Sequence, residues 1–393
     1  MGTVEPYTIA AGKRYRVRYR KPDHSQTDKR GFKTKREAEL YLATVEISKA
    51  TGDWTDATAS RVPVGELAVS WLAVKRASLK PSSYESLERA WSVWVGPRWG
   101  STPVGSILPS DVEKWVAELS TGTAANNRTA GRLTPQDQAR RRSPSVVIRA
   151  VGVLAGVLDQ AMKDRRITRN PARGLEGLPR KRKRGERHRY LTHDQVIRLA
   201  EACESDLHTA VVLTLAYTGL RWGEMLALRV RDFDALRGRI EVNRSAVEVA
   251  RRMEVGTPKS GERRSVAVPG FLVERIARLC EGKGREHLIF GDGMDGYLRR
   301  PNTSDGTRSW WLTALAGAGL ERLVLHDLRH TAASLMISSG ANVKAVQRQL
   351  GHSSAAMTLD RYSDLFDDDL DAVGARLDEA ASLAGIRRSA ASV

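Results

Sequence analysis

The chain has 393 residues, too many for one ordinary domain, so two or three are expected. Hydrophobic residues make up 41% of it, enough for globular cores, and no run of about 18 apolar residues marks a membrane span. Its 64 Lys and Arg against 46 Asp and Glu give a net charge of +18, an excess that favours a polyanionic partner, nucleic acid first.

The opening MGTVEPYTIA lacks the charged, apolar, small-residue order of a secretory leader. It also lacks a lipidation signal and a basic amphipathic helix, so an anionic membrane is disfavoured and a cytoplasmic location is expected. Between about 6 and 36, Tyr15, Val17 and Tyr19 alternate with Arg14, Arg16, Arg18 and Arg20, the period of a strand with one apolar and one guanidinium face. A Pro-Asp turn, a second basic stretch containing Lys33 and a helix near 35–51 complete a small sheet-and-helix module, residues 1–58. Four arginines on one strand face repel one another unless anions neutralise them, which points to phosphates. A solvated basic edge strand is the plainer alternative.

A loop near 52–62 leads into a helical region, 64–175. There VGELAVSWLAVKRA and SSYESLERAWSVWVG show three- and four-residue apolar spacing, and Pro81 suits a helix start. LPSDVEKWVAEL offers Ser110 or Asp111 as an N-cap, and SVVIRAVGVLAGVLDQAMKD reads as a long apolar helix after a polar loop at 120–143. Arg180, Lys181, Arg182, Lys183 and Arg184 then form an unbroken basic run inside a linker, 176–190, able to lie along DNA or merely to solubilise. From 191 to 370 the pattern is helical, near 192–203, 206–218, 222–229, 270–281, 308–317, 327–339 and 342–350. It is interrupted by RIEVNRSAVEVARRMEV and ERRSVAVPG, which read as one short antiparallel sheet. Residues 371–393 read as an acidic amphipathic helix and tail. The fold class is mainly α with small antiparallel sheets, a multidomain α+β chain.

Cys203 and Cys280 are far apart and have no second Cys or His nearby, so neither a disulfide framework nor a zinc site is expected; both read as buried small hydrophobes. In HDLRH, His326 and Arg329 are three apart and share a helix face, a pairing suited to a phosphate, while His330 lies on a neighbouring face and reads as structural. Arg221 follows Gly219 at a helix entry, near its positive end, and Glu224, three residues on, can hold the guanidinium. His352 in QLGHSS stands at a junction where Gly351 ends one helix and Ser353 or Ser354 caps the next. Tyr362 falls on or just after a short helix. Each alone has a structural explanation. Together they supply what phosphoryl transfer needs: bidentate cations, a proton-transfer group and a hydroxyl whose ionisation those cations favour.

The words TGLRWGE, a lysine in a strand turn, HDLRH, LGHSS and LDRYSD, in this order, resemble the catalytic domain of the tyrosine recombinase (phage integrase) family. The resemblance implies that Tyr362 attacks the scissile phosphate to give a 3′-phosphotyrosyl link and a free 5′-hydroxyl, with neither metal nor ATP and no cofactor. It implies a phosphate clamp of Arg221 and Arg329, His326 assisting proton transfer at Tyr362, and His352 hydrogen-bonding a phosphate oxygen. The family's leaving-group lysine corresponds to Lys259, with Lys283 the weaker rival. It further implies that residues 1–58 resemble an arm-type DNA-binding domain and 64–175 a core-binding domain closing a clamp on double-stranded DNA. The C-terminal helix resembles one that packs on a neighbouring protomer in a homotetramer. A host DNA-bending protein and an excision factor are possible further partners.

The alternatives are a transposase of a conjugative element with the same chemistry, a type IB topoisomerase, a metal-dependent nuclease and a non-catalytic architectural DNA-binding protein. A nuclease needs grouped carboxylates, and Asp367 to Asp369 have no supporting histidines. An architectural protein accounts for the charge but not for the ordered Arg, Lys, His, Arg, His and Tyr.

Overall fold

The structure is a computed structural model and describes residues 2–383, apart from positions 23, 52–53, 55–58, 125–140, 181–189, 259–260, 294–295, 304–306 and 363–369. The chain divides into two compact units, Met1–Lys183 and Arg184–Val393.

In the first unit, β1 (Thr3–Ile9), β2 (Gly12–Arg20) and β3 (Gln26–Phe32) form an antiparallel sheet in that order, followed by α1 (Lys35–Ala50). The period-two pattern has its expected consequence: Val17 is fully buried with Phe32 and Ala38, and Tyr15, Tyr19, Tyr41 and Leu42 pack around them. Thr34 starts α1 by accepting from the Glu37 N–H. The arginine face is not left to external anions alone. Glu5, directly opposite Arg16 across the sheet, accepts from its Nε at 2.9 Å and lies 3.5 Å from Arg18, while Asp28 accepts from Arg30 at 2.8 Å. The hydrogen bond from Arg16 holds the Glu5 carboxyl below its ordinary range. Two carboxylates thus face five guanidiniums, and the repulsion expected from sequence is partly relieved within the sheet.

The remaining helices of this unit are α2 (Val64–Ser78), α3 (Pro81–Ala90), α4 (Gly96–Trp99), α5 (Pro109–Thr121) and α6 (Pro144–Lys163). A π-helical turn, Trp91–Val95, joins α3 to α4. The cap of α5 differs from expectation: Leu108 is the boundary residue, and Asp111 reaches back to accept from its N–H, so the carboxylate acts from the third helical position. The long helix α6 is apolar enough by length and composition to cross a membrane, yet half of that stretch is buried, with Val147, Val151, Leu154 and Leu158 packed among Trp94, Trp99 and Trp115. Each fully buried side chain of this kind contributes about 1.5–3 kcal/mol.

In the second unit the helices are α7 (His193–Glu201), α8 (Asp206–Thr218), α9 (Trp222–Leu226), α10 (Gly270–Cys280), α11 (Trp310–Gly317), α12 (Asp327–Ser338), α13 (Val343–Leu350), α14 (Ala355–Tyr362) and α15 (Leu370–Leu383). The strands are β4 (Phe233–Asp234), β5 (Arg239–Val242), β6 (Ser245–Val249), β7 (Arg252–Gly256) and β8 (Arg264–Ala267). They form two ladders rather than the single sheet expected, β4-β5-β8 and the hairpin β6-β7, because β8 pairs with β5 and not with β7. Helix α12 is the centre of the unit: Leu328, Arg329, His330, Thr331, Ala332, Ala333, Leu335 and Ile337 are all buried, and it packs on α8. Cys203 and Cys280 are free and only half-buried, less than expected, and burial pushes the Cys203 thiol up to about 11.

Candidate active site

Two left-handed glycines set the geometry. Helix α8 ends at Gly219 (φ 69°) and α13 at Gly351 (φ 67°), so the carbonyls at both helix ends are free of intrahelical partners and carry the negative end of the helix dipole. Arginines from three different elements satisfy them. Arg329, on α12, donates to Gly219 O and, at 2.6 Å, to Leu350 O. Arg264, at the start of β8, donates through Nε to Gln349 O at 3.2 Å. Arg221, at the N-cap of α9, donates to Gly351 O at 3.4 Å. Three consecutive carbonyls, Gln349 to Gly351, therefore collect three guanidiniums. The Gln349 side chain fixes this helix end to β8, accepting from Ala267 N at 2.9 Å and donating to Ala267 O at 2.8 Å.

Among the described residues a single carboxylate balances the cluster. Glu224, fully buried, accepts from Arg221 N at 2.9 Å and Arg221 Nη1 at 2.8 Å, and from Arg264 at 3.1 and 2.7 Å. Burial pushes this carboxyl up, but the hydrogen bond and charge of Arg264 and the backbone N–H and charge of Arg221 outweigh it and hold it at about 2. Two positive charges remain in excess. Arg329 feels this most: burial, then the Arg221 charge, then Arg264, against Glu224 and Tyr362, push it down to about 9. A buried guanidinium so placed is stabilised by an incoming anion, and its neighbours present the fork geometry that a phosphate matches.

Tyr362 ends α14 and is 1% exposed, in a small core with Ala333, Ile337, Val346 and Leu350. The His352 ring lies parallel to it at 6.5 Å, and its Nδ1 is 2.9 Å from Thr358 Oγ1. Ser354, not Ser353, caps α14, accepting from Met357 N. The imidazole within hydrogen-bond reach of the Tyr362 hydroxyl is His330, Nδ1 to Oη 2.8 Å. The sequence reading gave proton transfer at Tyr362 to His326 and a structural part to His330. His326 is exposed at the N-cap of α12, and its ring meets His330 edge-on at 4.9 Å, because residues four apart on the helix stack more directly than those three apart.

Arg221, Glu224, Arg329, His352 and Tyr362 thus converge, and His326 joins through His330. Lys259 lies outside the described residues, as do Lys181, Lys183, Arg182 and Arg184; Arg180 is exposed. Lys283 is tied elsewhere, donating to Leu288 O and Ile289 O at 3.2 and 2.9 Å. Asp367 to Asp369 also lie outside the described residues, and among the described residues no cluster of His, Cys, Asp and Glu could hold a metal ion. Arg14, Arg16, Arg18, Arg20 and Lys33 belong to the other unit. The sequence reading missed Arg264 and underrated His330. For Arg264 the available signal was its place two residues after a solvent-facing Glu262, opening a strand that alternates buried and exposed positions; for His330, flanked by Arg329 and Thr331, the sequence carries no comparable signal.

Residues 189–368 match the Phage integrase family. A Mycobacterium tuberculosis protein assigned as the integrase of prophage phiRv2 is 28% identical over 340 residues, covering 84% of this chain and 83% of that protein. Among solved structures, the Tn1549 transposon integrase in complex with a circular intermediate DNA superposes with a TM-score of 0.59 at 20% identity, over 80% of this chain and 99% of that one. A lambda integrase dimer bound to a COC′ core site gives 0.56 at 16% identity, over 93% and 95%.

Proposed function

We propose that this chain, whose residues 189–368 match the Phage integrase family, is a site-specific recombinase of the tyrosine type that integrates, and also excises, the genome of a phage or related mobile element. The observation that carries the reading is the doubly positive cluster of Arg221, Arg264, Arg329 and Glu224 built beside the hydroxyl of Tyr362.

In this reading a DNA phosphate binds the arginine cluster as the missing counter-charge, with Arg221 and Arg329 as its clamp and His352 donating to a phosphate oxygen. Tyr362 Oη bonds to phosphorus while the bond to the 5′-oxygen breaks, leaving a 3′-phosphotyrosine and a 5′-hydroxyl. Lys259 gives the leaving oxygen its proton, and His326 assists proton transfer at Tyr362 through His330, whose ring it meets edge-on. The energy of the broken bond is held in the covalent link, so the partner strand's 5′-hydroxyl reverses the step without ATP, and charge stabilisation by arginines stands in for a metal ion. A planar, permanently charged guanidinium can hold two phosphate oxygens at once, which is why Arg rather than Lys fits the clamp.

The division of the chain at 183–184 supports reading 176–190, including Arg180 to Arg184, as a basic linker ahead of the catalytic domain, 191–370; in the same reading residues 1–58 bind arm-type sites and 64–175 core-type sites on double-stranded DNA, and 371–393 contact the next protomer of a tetramer. A host DNA-bending protein and an excision factor complete the assembly, which acts on DNA in the bacterial cytoplasm. The test is a nicked duplex pool randomised across the core, from which covalent protein–DNA adducts are recovered on a denaturing gel. The wild type gives an adduct and Tyr362→Phe gives none; a wild type that binds DNA without any adduct overturns the enzyme reading in favour of an architectural protein.

A further inference from the structure

We infer that His330 is a catalytic residue: its Nδ1 takes the phenolic proton as Tyr362 attacks and returns it when the phosphotyrosine is resolved. The inference rests on the reading of Tyr362 as the nucleophile.

A tyrosine hydroxyl attacks well only as its proton leaves, and a base must stand within about 2.6–3.2 Å of it. His330 Nδ1 is at 2.8 Å, and both partners are buried, at 3% and 1% exposure. The other nearby groups are worse suited. The guanidiniums of Arg329, Arg221 and Arg264 have donors and no acceptor. The His352 ring lies parallel to the Tyr362 ring with centroids 6.5 Å apart, and its Nδ1 is engaged with Thr358. His326 is exposed, and its ring contact is with His330.

Electrostatics agree with the geometry. The phenol lies within the field of Arg329, whose charge Tyr362 helps to stabilise, so the developing phenolate faces the clamp on one side and the acceptor on the other. The proton balance closes. His330 must rest as the Nε2–H tautomer, with its unprotonated Nδ1 accepting from Tyr362 Oη. On attack the Oη–H bond breaks, the Oη–P bond forms, the P–O5′ bond breaks with Lys259 protonating O5′, and His330 becomes imidazolium beside a phosphate that supplies its counter-charge. In religation the 5′-hydroxyl attacks and returns its proton to Lys259, the Tyr362 oxygen leaves and His330 gives its proton back. Burial keeps this proton from exchanging with bulk water between the two half-reactions, and the edge-on His326 ring covers His330. A purely structural histidine would need only some hydrogen-bonding partner, so the distinction between the two is chemical and not geometric.

The experiment uses the full chain and the duplex recovered from the covalent selection, with adduct formation followed in single turnover. Wild type forming no adduct, or Tyr362→Phe forming one, removes the reading beneath the inference; the following outcomes address the inference alone. His330→Ala is expected to slow adduct formation roughly 100-fold or more, the low end for loss of a general base. Imidazole added to the buffer restores at least a tenth of the lost rate, and His330→Gln, which keeps a hydrogen bond but cannot take a proton, stays slow. His330→Ala within threefold of wild type, His330→Gln at the wild-type rate, or an Ala variant that still melts cooperatively and binds duplex yet gains nothing from imidazole each overturns the assignment. Should the variants fail to fold, the nitrogen chemical shifts of histidine in labelled wild type decide it: an unprotonated Nδ1 on His330 is required, and a protonated Nδ1 refutes it.

Discussion

Replacing Glu224 by Gln keeps the shape of the side chain and removes the charge that three arginines share. The carboxyl sits at about 2 against an ordinary 4.5, and at 1.36 kcal/mol per unit that displacement corresponds to ~3 kcal/mol of native-state stabilisation. An independent guide agrees, since removing one partner of a buried ion pair costs about 3–5 kcal/mol. For a unit of this size each kcal/mol moves the melting temperature by about 2–4 °C, so E224Q should melt roughly 6–12 °C lower at neutral pH. The sign in acid follows from the depressed value. The unfolded chain takes up the proton first as pH falls below about 4.5, so the stabilisation is complete above that pH and is lost progressively toward pH 2. Urea unfolding of wild type and E224Q, followed by tryptophan fluorescence at pH 7, 5, 4 and 3, should therefore show a gap of ~3 kcal/mol that narrows below pH 4.5. Coincident curves at pH 7, or a gap that stays constant into acid, would refute the idea that Glu224 holds the cluster together electrostatically.

Two further outcomes follow from local geometry. Gly351 adopts φ 67°, and a Cβ there would lie 2.9 Å from both Cδ and Nε of Arg264. Gly351→Ala should cost about 1–2 kcal/mol for the left-handed backbone, plus displacement of Arg264, and adduct formation should fall with it. If the variant melts and reacts like wild type, the packing of Arg264 on this turn is unimportant. In the N-terminal module, Glu5→Gln frees Arg16 and Arg18 from their carboxylate. Binding of the full chain to a non-specific duplex should tighten, and the slope of log K against log salt should steepen by about 0.9 for each phosphate newly contacted. An unchanged slope argues that this face does not meet DNA.

Much of the fold was legible because the signals are local. Period-two alternation around Val17 gave a strand with a buried face, helix spacing gave α8, α12 and α13 within a residue or two, and glycines at 219 and 351 marked their ends because only they take positive φ at little cost. The same locality made Arg221 with Glu224, His352 and Tyr362 stand out. What sequence spacing could not decide is which groups meet across the fold. Whether β8 pairs with β5 or β7, and whether Glu5 neutralises Arg16, depends on strand partners that the pattern of one strand does not name. The decisive contacts are separated by long stretches of chain: Arg264 to Glu224, Arg329 to Gly219 and His330 to Tyr362. Helical spacing put His326 beside Arg329, but burial of nearly every face of α12 turned Arg329 toward two helix ends and His330 toward the tyrosine. The residue types were written in the chain; the pairing of proton, cation and hydroxyl was fixed only when tertiary packing excluded water and brought Arg329, Glu224 and His330 to their partners.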